Sequence, residues 1–225
     1  MNPMDPKILN AYLGVSFCKT AYFSRSMMQR YIQWVCTCYQ DLLIIVADHL
    51  EVYNKQVFDR LSYDDAEAAT YRTGLQYKKG YQRSVPKELS ERVQIRLASE
   101  ILTDPGCAQL LGMVQSKMST DQGFARSVRE TVKAVQTGRL SEYGMLGGRR
   151  ESEALDTLQN YLIEEVAIIL YINCCADRQY HVSIFPYDPP QILLDTYSGR
   201  HSNLFASVTG ERPYMALKLV AEGRV

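Results

Sequence analysis

The run Leu42-Leu-Ile-Ile-Val-Ala47 constrains this chain more than any other stretch: six consecutive apolar side chains, half of them β-branched, stop at Asp48. A half-buried strand alternates apolar and polar residues, so an uninterrupted run of this length reads as a strand covered on both faces in a parallel sheet. Upstream, Ile8 to Val15 reads as another buried strand. The segment that follows carries Met28, Ile32, Val35 and Tyr39 at helical three- and four-residue spacing, with Ser24 placed to cap it. Strand, helix and strand make a βαβ unit.

Glu51 to Leu61 reads as helical, and a long helix is expected from Asp64 onward. Seven basic side chains (Arg72, Lys78, Lys79, Arg83, Lys87, Arg92, Arg96) face two acids, Glu88 and Glu91, between Arg72 and Arg96. Interleaved with Tyr71, Tyr77 and Tyr81, this basic helical stretch either contacts a phosphate backbone or is a solvated helix face. Ser99 to Met118 and Gln122 to Leu140 are amphipathic, with Asp104 as a cap and Pro105 as a good first helical residue. Gly144 to Arg150 reads as a loop. Ser152 to Ile172 carries Leu155, Leu158, Leu162, Val166 and Ile169 as one apolar stripe, which predicts a helix with Tyr161 and Glu165 one turn apart beside that stripe. Tyr180 to Phe185 reads as a strand ended by Pro186. The tail with Tyr197, Arg200, His201 and Arg212 has only weak periodicity and receives no assignment.

The order of elements indicates an α/β fold with a small sheet and many helices. A chain of 225 residues permits one large domain or two small ones; no linker separates two, so residues 1–225 read as a single domain. Twenty-five basic and 25 acidic residues give a formal charge of zero, so a polyanion would have to be held by a local patch. The six cysteines lack the spacing of a disulfide framework or of zinc knuckles and read as reduced, mostly buried thiols. His49, His181 and His201 are widely separated, so no metal site is expected. The first residues read as turn-forming rather than as a signal peptide, and no apolar run approaches the ~20 residues of a membrane span. The expectation is a cytosolic protein.

Ser16 follows the first strand by way of Gly14. A strand ending in a Gly-containing turn, with a helix soon after, places the serine in the crevice at the carboxyl end of an α/β sheet, where such folds bind ligands. That makes Ser16 a candidate nucleophile, although serine is equally a common turn residue. The second glycine of a Gly-x-Ser-x-Gly elbow is missing, which disfavours a serine hydrolase. A Gly-x-Gly-x-x-Gly turn is missing too, which disfavours a dinucleotide-binding oxidoreductase. Lys117-Met-Ser-Thr120 matches the start of an ATP-binding loop of class I aminoacyl-tRNA synthetases, but its partner motif is absent.

Taken together, Gly14-x-Ser16 after the first strand, the apolar strand ending at Ala47-Asp48 with Tyr53-Asn54 beyond it, the basic helix, and Tyr161-x-x-x-Glu165 in a late amphipathic helix resemble the tRNA-dependent cyclodipeptide synthases. The resemblance spans roughly residues 8 to 195. It implies a single Rossmann-like α/β domain, with a small parallel sheet and many helices, similar to the catalytic domain of class I tyrosyl- and tryptophanyl-tRNA synthetases. It implies no cofactor, ATP or metal, because the substrates, two aminoacyl-tRNAs per product, arrive activated. Carried over residue by residue, it makes Ser16 the nucleophile and Tyr161 and Glu165 catalytic, with Gly14, Lys19, Phe185 and Pro186 against the substrate and Lys78, Lys79, Arg83 and Lys87 against tRNA. Lys19 stands where one subfamily has Asn, which points to the other, variable-Tyr-Pro type. There Phe185-Pro186 replaces Tyr-Pro, so the missing hydroxyl would have to come from Tyr187 or Tyr180. The implied reaction is a ping-pong acyl transfer through an aminoacyl-serine and a dipeptidyl-enzyme, with Glu165 as the nearest base for the amines and Tyr187 or Asp48 as alternatives. A catalytically inactive tRNA-binding module of the same fold is the other reading.

Overall fold

A computed structural model describes residues 8–17, 21–186, 188–197 and 215–218. Five parallel strands form one sheet: β1 (Ala11–Val15), β2 (Leu42–Val46), β3 (Val93–Leu97), β4 (Val182–Phe185) and β5 (Met215–Lys218), in the order β3-β2-β1-β4-β5. The unbroken apolar run forms β2. All five of its residues are buried, and it pairs in register with β1 on one side (Ala11 with Leu42, Val15 with Val46) and β3 on the other. Because side chains alternate across a strand, Leu42, Ile44 and Val46 enter one core and Leu43 and Ile45 the other. Burying each such side chain is worth ~1.5–3 kcal/mol, so a two-sided strand anchors both layers.

The first layer is α1 (Arg25–Cys38) and α3 (Tyr63–Gln82), packed with Leu13, Val15, Ile44 and Leu97. Ser24 caps α1 through Met27 N at 3.4 Å, as the sequence predicts. The opposite layer holds α2 (Glu51–Phe58), α4 (Ala98–Leu102), α5 (Pro105–Thr120), α6 (Gln122–Glu142), α7 (Gly148–Cys174) and α8 (Gln191–Tyr197). Asp104 caps α5 by accepting from Gly106 N at 2.9 Å, with Pro105 leading the helix. Helix α7 spans 27 residues, and the predicted leucine stripe is its buried face. Its start lies earlier than the apolar period alone places it, because Gly147 and Gly148 take positive φ and turn the chain directly into the helix.

Two expectations change, and one short motif match finds its place. Gly14 lies inside β1, paired with Ile45, rather than in a turn. The basic stretch is not one helix: α3 stops at Gln82, a 3-10 turn covers Lys87–Leu89, and Val93-Gln-Ile-Arg-Leu97 is edge strand β3. Lys117–Thr120 is the last turn of α5. In the C-terminal tail, α8 and β5 are elements that the weak periodicity did not assign; Arg200, His201 and Arg212 lie outside the described residues. No helix among the described residues is long and apolar enough to cross a membrane.

Candidate active site

Ser16 stands one residue beyond β1, at the carboxyl edge of the sheet. Its hydroxyl donates to Glu51 Oε1 at 2.6 Å, and the next backbone amide, Phe17 N, donates to the same oxygen at 3.0 Å. Glu51 opens α2, just past the end of β2, and is only 2% exposed. Its other oxygen accepts from Asn54 Nδ2 at 2.7 Å, one helical turn on. Asn54 Oδ1 in turn accepts from Arg139 at 3.2 Å and Gln136 at 3.4 Å, both on α6. Arg139 is held over the Phe58 ring, 3.8 Å from its centroid. On the far side of the serine, Phe17 stacks on Tyr77 of α3 with ring centroids 5.1 Å apart. Neighbours from α2 and α3 therefore fix Ser16 and Phe17.

Tyr161 and Glu165 project from α7 toward the same place. Two cavities meet at Ser16, Tyr161 and Glu165. The larger, about 560 Å³, sets Asn54, Gln136, Arg139, Glu142 and Asp188 among apolar Val132, Val135, Leu158 and Leu162. The smaller, about 40 Å³, is walled by Tyr12, Gly14, Ile45, Leu50, Ile168 and Phe185 and is mostly apolar. A Cβ built on Gly14 would meet nothing within 4 Å, so the missing side chain is part of that space. The Glu165 carboxyl is pushed up to about 7, chiefly by burial and secondarily by the charge of Glu51. Among the described residues no side chain hydrogen-bonds or ion-pairs with it. Its neighbour Glu164 faces the other way and is occupied, accepting from Tyr53 OH at 2.5 Å and lying 3.7 Å from His49.

The structure thus brings together Gly14, Ser16, Tyr161, Glu165 and Phe185. Pro186 is buried directly after β4. Lys19 and Tyr187 lie outside the described residues. Tyr180 precedes β4, at the end of the strand away from Phe185, and supplies no hydroxyl to the site. Asp48 is committed elsewhere: it accepts from Ser99 N at 3.1 Å and Ser99 Oγ at 2.5 Å, tying β2 to the start of α4. Among the basic residues, Lys78 is held by both oxygens of Glu100 at 2.6 and 2.8 Å, while Arg92 donates to the carbonyls of Cys36, Tyr39 and Gln40. Lys79, Arg83 and Lys87 are exposed. No cluster of metal-ligating side chains occurs among the described residues. Sequence reasoning missed Glu51, which lies 35 residues from Ser16 in the chain. The one available signal was an acid opening the helix that follows the buried strand.

The chain is similar to several solved structures. A cyclodipeptide synthase from Fluoribacter dumoffii superposes with a TM-score of 0.75 at 16% identity, covering 92% of this chain and 88% of that one. The synthase of Candidatus Glomeribacter gigasporarum, solved bound to Phe-tRNAPhe, gives 0.64 at 12% identity, over 98% and 91%. A Mycobacterium tuberculosis protein, described as demonstrating that cyclodipeptide synthetases are related to type I tRNA synthetases, gives 0.61 at 15% identity, over 82% and 76%. These likenesses establish the fold. Curated protein sequences return no match. The model of the family Cyclodipeptide synthase matches residues 9–210, nearly the whole of the sheet, both layers and the serine–glutamate cleft, and the chain belongs to that family.

Proposed function

We propose that the protein joins two aminoacyl groups, each delivered by a tRNA, into a cyclic dipeptide without ATP. Ser16 attacks the ester carbon of the first aminoacyl-tRNA and keeps the acyl group while the tRNA leaves with its 3′ hydroxyl. The second aminoacyl group is then added, and the dipeptide closes on itself and expels Ser16. The observation that carries this reading is the placing of Glu165, a carboxyl with no protein partner among the described residues, at the junction of a small cavity and a large one edged by several polar side chains, with Ser16 in the same wall.

That junction suits an aminoacyl ester. The apolar cavity takes the side chain, and the ammonium meets Glu165 and the Tyr161 hydroxyl. An empty site leaves Glu165 divided between its two protonation states near neutral pH. An arriving ammonium favours the carboxylate, and a carboxylate so poised can accept the amine's proton when that amine must attack. The larger cavity has room for the second aminoacyl group and the 3′ end of its tRNA. The exposed Lys79, Arg83 and Lys87 are the cations offered to the tRNA backbone. Phe185-Pro186 at the end of β4 fits the variable-Tyr-Pro subfamily with the tyrosine hydroxyl removed.

The test is incubation with a pool of charged tRNAs, followed by mass spectrometry for diketopiperazines, with Ser16→Ala alongside. The parent should yield a cyclic dipeptide and a trappable aminoacyl-enzyme. Ser16→Ala should yield neither, with its circular dichroism spectrum unchanged. Binding of charged tRNA with no cyclic product would instead mark an inactive tRNA-binding module.

A further inference from the structure

We propose that Glu51 is the general base that takes the proton of Ser16 when the aminoacyl-enzyme forms. The inference rests on the acyl-transfer reading above and adds to it the proton acceptor that a serine nucleophile needs. The Ser16 hydroxyl already donates to a carboxylate oxygen, Glu51 Oε1, at 2.6 Å. That distance meets the requirement for proton transfer, a base within hydrogen-bond reach of the proton it removes.

The rest of the arrangement holds that oxygen still. Phe17 N fixes Oε1 from the backbone side, Asn54 fixes Oε2, and Arg139 and Gln136 fix Asn54. Glu51 also lies in the first turn of α2, where the helix dipole favours negative charge. Each carboxylate then has its own task. Glu51 is buried against the nucleophile, and Glu165, across the cavity junction, faces the substrate amine.

The step balances. The bond from Ser16 Oγ to the ester carbon forms as the Ser16 proton passes to Glu51 Oε1. The bond from that carbon to the 3′ oxygen then breaks, and the proton goes from Glu51 to the departing oxygen, leaving an aminoacyl-serine, a free tRNA and Glu51 as a carboxylate again. Asn54 touches no reacting atom and is a positioning residue.

The decisive measurement is single-turnover modification of Ser16, by a fluorophosphonate probe and separately by charged tRNA, in the parent, Glu51→Gln and Glu51→Asp. General-base assistance contributes about 10²–10⁴-fold. Glu51→Gln, close in size and folded by circular dichroism, should therefore slow both reactions by at least about 100-fold, and Glu51→Asp, which keeps a carboxylate one methylene back, should recover part of the loss. Equal rates for the parent and a folded Glu51→Gln would overturn the proposal. Should both variants fail to fold, the parent still decides the matter. Acylation should be measurably slower in deuterium oxide, and a solvent isotope effect of one overturns proton transfer to Glu51 at that step. Labelling of Ser16 that depends on Glu51, with no cyclic dipeptide from charged tRNA, would support the base and overturn the substrate.

Discussion

Ser16, Gly14 and Glu165 each give up something to be where they are, and those sacrifices are measurable. Gly14 has no positive φ and no neighbour that a Cβ would strike, so its backbone does not need a glycine. A glycine inside a strand costs roughly 0.5–1 kcal/mol relative to alanine. Gly14→Ala should accordingly stabilise the protein by about that amount in denaturant titrations, while Gly14→Val fills the small cavity and lowers the yield of acyl-enzyme, most for the larger amino acids. Glu165 carries the opposite signature in pH. Its carboxyl is held above the ordinary carboxylate range, at about 7, by burial and by Glu51. Between about pH 4.5 and 7 the folded state therefore binds more protons than the unfolded one, and stability falls as pH rises across that window, by about 3 kcal/mol for a shift of this size. Urea midpoints measured from pH 5 to 8 should decline in the parent and decline less in Glu165→Gln. His49, raised first by the Glu164 carboxylate 3.7 Å away, loses its contribution in the same direction and leaves a residual slope. In turnover the ranking reverses. On the proposed mechanism Glu165→Gln removes a charge-assisted bond to the ammonium, roughly twice as strong as a neutral one, and Tyr161→Phe only a hydroxyl. Cyclic dipeptide should drop further in Glu165→Gln than in Tyr161→Phe, and acyl-enzyme should drop less than product does.

At the scale of elements, the approach of α3 to the sheet is the tightest point. A Cβ on Gly74 would stand 2.6 Å from Asp48 Cβ and 3.3 Å from Leu97, so α3 lies against β2 and β3 only because that side chain is absent. Gly74→Ala gains helix propensity but forces the helix outward; overpacking of this kind costs about 1–3 kcal/mol. The same displacement pulls Tyr77 from Phe17. Thermal unfolding of Gly74→Ala should show a lower midpoint, and Ser16 acylation should slow even well below it. The elements legible in the sequence were those with a strong period or an unbroken run: β1, β2, the Ser24 and Asp104 caps, and α7 with Tyr161 and Glu165 on one side. Strand β3 escaped because it is an edge strand buried on one face only, so Gln94 and Arg96 interrupt its apolar residues inside a basic stretch. Glu51 escaped for another reason. Its partner is brought to it by the parallel pairing of β1 with β2, and no local pattern records which side chains meet past the ends of two strands.

For the molecule as a whole, a formal charge of zero means that tRNA is not drawn in by a general field. Attraction has to come from cations the protein does not use internally, and Lys78, held by Glu100, and Arg92, bound to three carbonyls, are already engaged. Replacing Lys79, Arg83 and Lys87 together should reduce the steepness of log affinity for charged tRNA against log salt by about 0.7–0.9 for each phosphate no longer neutralised, with fluorophosphonate labelling of Ser16 unchanged. An unaltered slope would return these residues to an ordinary solvated face. The central position of β1 carries a consequence for biosynthesis. Its neighbours are β2, made soon after it, and β4, made long after it; the bond from Asn10 to the Gln179 carbonyl joins residues 169 apart. Non-local pairings of that reach form late and slowly. A nascent chain on the ribosome has already made Ser16 and Glu51, yet it still lacks α7 and β4, the walls that would hold an aminoacyl group. Surrounded by the cell's charged tRNAs throughout synthesis, the chain therefore cannot complete the proposed cleft until α7 and β4 have been made.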